Sequence, residues 1–344
     1  MVVSTARLGG ITAHRARDLT VTVGAGLRVA ELLAFLEARG QWVPVSGPGL
    51  SLSVGGLIAA APPGPLDASF GPARRLLLEC RMLSPVGTPL RWGRPVVKNV
   101  AGYDVQRLVC GSRGRLGVIT EATLRVWPRP AERRLYELSG GPGAVELAAR
   151  LALEHAGESP RPDGASWEWR SEDPEGLGHL RVELLGSSAS VAVRERALLG
   201  WARRANARAE RLSDSKAFPG RTTTPGDRHR PLERSVFRLT AARGYVAGIV
   251  RGARGAAGAR IVRMEAYPMR GVVRLEIERE PGTALGMLGR ALALLGPVNV
   301  CVERGSAAEL ARAEGRRPSA ERRLEARVVK ALGGWPRHWL ADYL

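Results

Sequence analysis

VVKNVAGYDVQRLVCGSRGRLGVITEATLRV, residues 96–126, is the stretch on which the reading of this chain turns. Glycines at 111, 114 and 117 stand three apart, with Ser112 after the first of them. The alternating run Val118, Thr120, Ala122, Leu124, Val126 follows at once and predicts a strand. A narrow turn rich in amides thus meets a strand end, where backbone N–H groups can reach a phosphate or the edge of a flat ring.

Upstream lies a second cluster, SVGGLIAA (53–60), followed by Gly64 and by FGPAR (70–74). Paired glycines let a backbone approach a flat or anionic ligand closely, because no side chain stands in the way. Taken alone, the same residues also suit a tight turn. The third cluster, GAGLRVAELL (24–33), fails the dinucleotide fingerprint, since Val29 occupies the third glycine position, and it reads as a strand-to-helix turn. No glycine run is followed by GK[ST], which excludes a Walker-type phosphate loop.

Around these motifs, residues 1–130 alternate short β-branched runs with glycines. Strands are predicted at 19–23, 42–45, 76–83, 90–92 and 117–127, and a helix over 29–39 with Gly40 just past its end. Glycine- and proline-rich turns fill 46–71, and WPRP (127–130) stops regular structure. From residue 131 to 344 the texture changes to strand, helix, strand, strand, helix, seen twice. The first copy has strands at 134–138, 166–170 and 180–185 with helices at 143–155 and 191–207. The second has strands at 235–240, 260–267 and 272–277 with helices at 244–255 and 284–295, and a closing strand at 298–302. This order predicts antiparallel sheets covered by helices in split βαβ, ferredoxin-like units, while 213–232 reads as an exposed loop.

Composition narrows the function classes. No run of about 18 apolar residues is present, so no transmembrane helix is expected, and the N-terminus lacks the charged-then-apolar pattern of a secretory signal; a cytoplasmic location follows as the expectation. Cys80, Cys110 and Cys301 are far apart and too few for an iron–sulfur cluster, and the five histidines form no HxH or HxxxH pair, so no metal is expected. The formal charge of +19 invites a nucleic-acid reading. Lysine occurs only at 98, 216 and 330, however, and the 49 arginines fall in scattered pairs without interleaved aromatics. A solvated basic surface is the preferred reading, with no nucleic-acid partner.

The segment KNVAGYDVQRLVCGSRGRLGVITEATLRV resembles the KNxAGYDxxRLxxGSxGxLGxxxEAxLxV pattern of flavoproteins of the vanillyl-alcohol-oxidase (PCMH) type, and within them the glycolate oxidase FAD-binding accessory subunits. TARLGGI (5–11), residues 18–44 and SVGGLIAA match the same pattern in the same order. The resemblance implies an α+β chain with a PCMH-type FAD-binding domain at 1–130 and an α+β cap domain at 131–344. It implies that FAD is held by Ser53, Gly55, Gly56, Gly64, Gly111, Ser112, Gly114, Gly117 and Ile119, mostly through backbone groups. Lys98, Asn99, Tyr103 and Asp104 match the family's KNxxGYD, where Tyr103 and Asp104 either touch the flavin or fix the turn.

The pattern is incomplete in places. This sequence starts after the family's first strand–helix–strand unit, which carries a glycine-rich pyrophosphate loop. The domain is therefore expected to be truncated at its N-terminus, either because Met1 lies inside a longer reading frame or because flavin is held poorly. Arg75 replaces an acidic residue, and the ending WPRHWLADYL (335–344) lacks the family's asparagine–proline–glycine. Catalytic relatives carry a histidine-rich metal motif in the cap, whereas VNVCVERG (298–305) holds no histidine. The resemblance thus implies an FAD-binding subunit of a heteromeric oxidase acting on a small 2-hydroxy acid. Its implied partners are a catalytic flavin subunit and an iron–sulfur subunit, with peripheral membrane association through the complex. The competing expectation is a flavin-free structural partner of the same complex.

Overall fold

The computed structural model describes residues 3–94, 104–140, 162–171, 178–212, 234–255, 261–278 and 299–304. The described residues form two compact units that divide between Arg129 and Pro130.

The first unit is built on a five-stranded antiparallel sheet. Its strands, in spatial order, are β1 (Ile11–Arg15), β2 (Thr20–Gly24), β6 (Val118–Arg125), β4 (Leu77–Leu83) and β5 (Pro89–Gly93). Alternation splits the sheet into two faces. Val21, Val23, Cys80, Met82, Ala122 and Leu124 join one core, while Thr22, Glu79, Arg81, Glu121 and Thr123 share the other face. On that second face Glu79, only 3% exposed, is held by Arg91 through two contacts of 3.0 Å.

Helix α1 (Val29–Glu37) forms where expected. Val29, Leu32 and Leu36 recur at helical spacing and bury that face, each large side chain contributing about 2 kcal/mol on removal from water. Gly40, at φ +67°, reverses the chain into β3 (Gln41–Trp42). The expectation of turns alone across 46–71 is corrected: α2 (Val54–Ala60) and α3 (Asp67–Phe70) lie there, and α4 (Ala73–Leu76) follows. Val54, Leu57 and Ile58 have helical spacing, but Gly55 and Gly56 mask it, because glycine is a poor helix former. WPRP likewise does not end regular structure outright. Trp127–Pro128 (β7) pairs with β3, and Phe70 sets its ring edge-on to both Trp42 and Trp127, at 5.5 and 5.9 Å.

The second unit holds an eight-stranded antiparallel sheet. Its strands are β8 (Glu132–Ser139), β9 (Gly164–Arg170), β10 (His179–Gly186), β11 (Arg208–Leu212), β12 (Arg234–Thr240), β13 (Ile261–Tyr267), β14 (Val272–Glu278) and β15 (Asn299–Arg304). Across the sheet they run β11-β8-β10-β9-β13-β14-β12-β15. Each half therefore repeats the order fourth, first, third, second, and the halves meet at their second strands, where Glu265 lies opposite Glu168. That is the split βαβ arrangement anticipated from the doubled pattern. Strand β11 was not foreseen: RAERL is short, polar and on the sheet edge, so it carries no alternation.

Helix α5 (Ser188–Arg204) packs on β8 and β10, and α6 (Val246–Gly255) on β13 and β14. The helices expected at 143–155 and 284–295 and the loop at 213–232 lie outside the described residues.

Candidate functional site

The glycine clusters of the first unit serve different purposes. Gly24 and Gly26 make room for the chain's own backbone: a Cβ on them would stand 2.0 Å from the Leu8 carbonyl oxygen and 2.1 Å from that of Thr5. Their N–H groups donate to Gly10 and Leu8 at 2.9 and 3.0 Å. A strand-to-helix turn stitched under residues 5–10 explains both.

The turn at 24–28 is in turn laced to the start of α2. Val54 donates to the Leu27 carbonyl and Gly55 to that of Ala25, both at 2.8 Å. Ser53 is the N-cap, its Oγ accepting the Gly56 amide at 3.1 Å, which satisfies an N–H that the helix leaves unpaired. Gly55 is required sterically, because a Cβ there would meet the Ala25 Cβ at 2.9 Å. The amides of Gly55 and Gly56 are thus engaged within the chain, and α2 is fixed at its first turn.

At the other end of α2, Ala61 takes the left-handed conformation with φ 41° and closes the helix. The Gly111 amide donates to the Ile58 carbonyl at 3.0 Å and the Arg113 amide to that of Ala59 at 2.9 Å. The two sequence motifs, more than 50 residues apart, are therefore one structural element. In the turn, Gly114 has φ +79° and no atom within 4 Å of the place a Cβ would take, and a Cβ on Gly111 would meet only Ala61, at 3.9 Å. Arg113 also lies in the left-handed region, at φ 52°. Non-glycine residues there carry strain, which gathers at ligand sites. Gly117 differs: its Cβ would lie 2.1 Å from the Leu83 carbonyl oxygen, so this glycine seats the turn against β4.

Ser112 lies within the turn, and Ile119 is buried in β6 opposite Met82, leaving only its backbone for a ligand. Gly64 packs against Ser46, its Cβ position 3.3 Å from the Ser46 carbonyl oxygen. Asp104 pairs with Arg107 at 3.0 Å and accepts from Gln106 Nε2 at 3.1 Å, a turn-fixing role. Lys98, Asn99 and Tyr103 lie outside the described residues. Sequence reasoning passed over Ser46, whose hydroxyl is buried and has no hydrogen-bond partner among the described residues; nothing local in the sequence separates it from an ordinary turn serine.

Two thiols adjoin the turn. Burial above all pushes the Cys80 thiol up to about 12, with Cys110 and Glu79 adding to it. Burial also pushes Cys110 to about 12, against the pull of Arg74 and Arg107. Both stay protonated at neutral pH and carry no nucleophilic chemistry.

Residues 1–93 match the family model of an FAD binding domain, so the first unit carries an FAD binding domain, of the PCMH type. The chain is homologous to glycolate oxidase subunits: it is 33% identical over 198 residues to glycolate oxidase subunit GlcE of Escherichia coli, covering 56% of this chain and 52% of that one. It is 31% identical over 125 residues to glycolate oxidase subunit GlcD of Bacillus subtilis, covering 35% and 27%. To a mitochondrial D-lactate dehydrogenase [cytochrome] of Arabidopsis thaliana it is 36% identical over 120 residues, covering 35% and 21%. The chain spans about half or less of the length of these relatives. Its fold is that of an alkyldihydroxyacetonephosphate synthase structure, with a TM-score of 0.63 at 14% identity over 85% of this chain and 62% of the other.

The residues present fit FAD. Gly114 and Gly111 leave a left-handed, side-chain-free surface beside α2, and Ser46 keeps a buried hydroxyl unspent in the neighbouring segment. A long ligand with polar and flat parts matches both a bare backbone surface and a buried donor.

Proposed function

We propose that this chain is an FAD-binding subunit of a heteromeric oxidase or dehydrogenase acting on a small 2-hydroxy acid of the glycolate type. The observation that carries the reading is the junction of the two glycine motifs, Gly111 to Ile58 and Arg113 to Ala59, in a chain homologous to glycolate oxidase subunits. In this reading Ser53 fixes α2, and α2 in turn presents the glycine turn. With the Gly111 and Ser112 amides spent on the Ile58 and Val109 carbonyls, these two residues hold the turn in place, Gly114 gives its backbone amide to the cofactor, and Gly64 lets the chain pass close to it. The family resemblance adds Lys98, Asn99 and Tyr103 to the residues that hold the cofactor. FAD, when bound, supplies a two-electron acceptor.

Turnover in this scheme belongs to the assembly, with a catalytic flavin subunit to oxidise the acid and an iron–sulfur subunit to carry electrons away. No described helix is long and apolar enough to cross a membrane, and we place the complex in the cytoplasm with peripheral membrane contact made through its partners.

The test is the absorption spectrum of the purified chain, alone and after incubation with FAD. A stoichiometric flavin band that survives gel filtration supports the proposal. A chain that stays colourless yet captures the catalytic subunit is instead a structural partner.

A further inference from the structure

We propose that Ser46 is a further flavin-binding residue, its hydroxyl donating to a hydrogen-bond acceptor of the cofactor beside Gly64. This rests on the FAD reading above. Ser46 is 4% exposed, and its Oγ has no hydrogen-bond partner among the described residues.

Serine before a helical turn ordinarily caps it. Ser46 has the extended backbone of a cap, at φ −147° and ψ 169°, and precedes the tight turn Gly47–Ser51, yet its side chain caps nothing. The hydroxyl therefore does not serve local structure.

Its surroundings are pressed close. Gly47, at φ +67°, turns the chain where a Cβ would stand 3.3 Å from the Pro65 ring, and a Cβ on Gly64 would be 3.3 Å from the Ser46 carbonyl oxygen. A Cβ on Gly49 would lie 3.1 Å from Leu57 of α2. Ser46 thus shares one packed wall with Gly64 and with the helix that Ser53 caps.

A buried hydroxyl left unpaired is disfavoured, so its presence here points to a partner that the described residues do not supply. The other orphans of the first unit weigh less. Arg125 lays its guanidinium over the Trp127 ring at 4.7 Å, and Gln106 spends its amide on Asp104 while its chain neighbours at 95–103 lie outside the described residues.

The experiment compares the full chain with Ser46→Ala, measuring FAD affinity by flavin fluorescence and the melting temperature of the flavin-free protein. The expected result is an FAD Kd raised about tenfold, with the flavin-free melting temperature unchanged or higher, since the substitution removes a buried polar group that the apo chain leaves unsatisfied. An unchanged Kd in a chain whose wild type binds FAD overturns the proposal and assigns the hydroxyl to a trapped water. A lower flavin-free melting temperature with unchanged Kd overturns it in favour of a structural role. Wild-type protein that takes up no FAD defeats the flavin reading itself, and this inference with it.

Discussion

The Gly111 amide and the Ile58 carbonyl lie 3.0 Å apart in a hydrogen bond that closes the glycine turn onto the end of α2. Because Ser53 caps the other end of α2 and Gly55 locks it to Ala25, the helix acts as a short strut about 10 Å long between two backbone-rich surfaces. Function assigned to either motif alone would miss that each holds the other in place.

Gly114 and Gly117 should respond differently to substitution. Gly117→Ala drives a Cβ into the Leu83 carbonyl at φ +136°, and should destabilise the chain by about 3 kcal/mol or more with or without flavin. Gly114→Ala meets no neighbouring atom and should cost the flavin-free chain only about 1 kcal/mol of left-handed strain, while flavin retention falls severalfold. Urea unfolding of the apo proteins beside FAD titration separates the two; equal stability losses would show both glycines to be structural.

Ser53 offers a graded test of the cap. Ser53→Ala should lower apo stability by about 1 kcal/mol, and Ser53→Asn should restore most of it, because asparagine caps as well as serine. FAD affinity should track stability across this series. An affinity loss in Ser53→Asn with full stability would assign Ser53 a direct contact instead.

Legibility in the sequence followed periodicity. Helix α1 and strands β2, β4, β6, β8 to β10 and β12 to β14 stand within a few residues of their expected places, because apolar side chains recur at the period of the element. Helix α2 was hidden by Gly55 and Gly56, glycines placed there by the 2.9 Å approach to Ala25 and not by any turn. Strand β11 shows no alternation because its edge position buries little. In the site, the GSRG turn was legible from spacing, but its attachment to α2 depends on contacts between Ile58, Ala59 and residues 111–113 that no local pattern encodes. Ser46 was illegible for the opposite reason, since what marks it is a missing partner.

The buried thiols set an alkaline limit on stability. Unfolded thiols ionise near 9, while Cys80 and Cys110 in the folded chain ionise near 12. Folded values above the unfolded ones mean that the contribution is whole below pH 9 and is lost as pH rises from 9 towards 12, because only the unfolded state gives up its protons in that window. The loss should be roughly 1 kcal/mol per thiol at pH 10. Cys80→Ala should flatten the fall in urea midpoint between about pH 8.5 and 10.5; an unchanged slope would remove Cys80 from the account.

The isolated chain, even saturated with FAD, should not oxidise glycolate or D-lactate. Hydride loss from a 2-hydroxy acid needs a base within hydrogen-bond reach of the hydroxyl and a cation to anchor the carboxylate. Among the described residues the two histidines are engaged elsewhere. His14 Nε2 meets Gln41 Oε1 at 2.8 Å with its ring edge-on to Phe35, and His179 lies 3.5 Å from Glu137. Arginines on the eight-stranded sheet are neutralised in turn: Arg263 bridges Glu168 and Glu265 at 3.0 and 2.8 Å, Arg274 meets Glu265 at 3.0 Å, and Arg181 meets Glu137 at 2.9 Å. An acid bound there would have to break a partly buried ion pair, which costs more than one new contact returns. Dye-linked oxidation should therefore appear only when the catalytic flavin subunit and the electron-carrying subunit are co-expressed with this chain. Turnover of glycolate by the purified chain alone, at a rate near that of the assembly, would show that it carries its own base and anchor and would end the accessory reading.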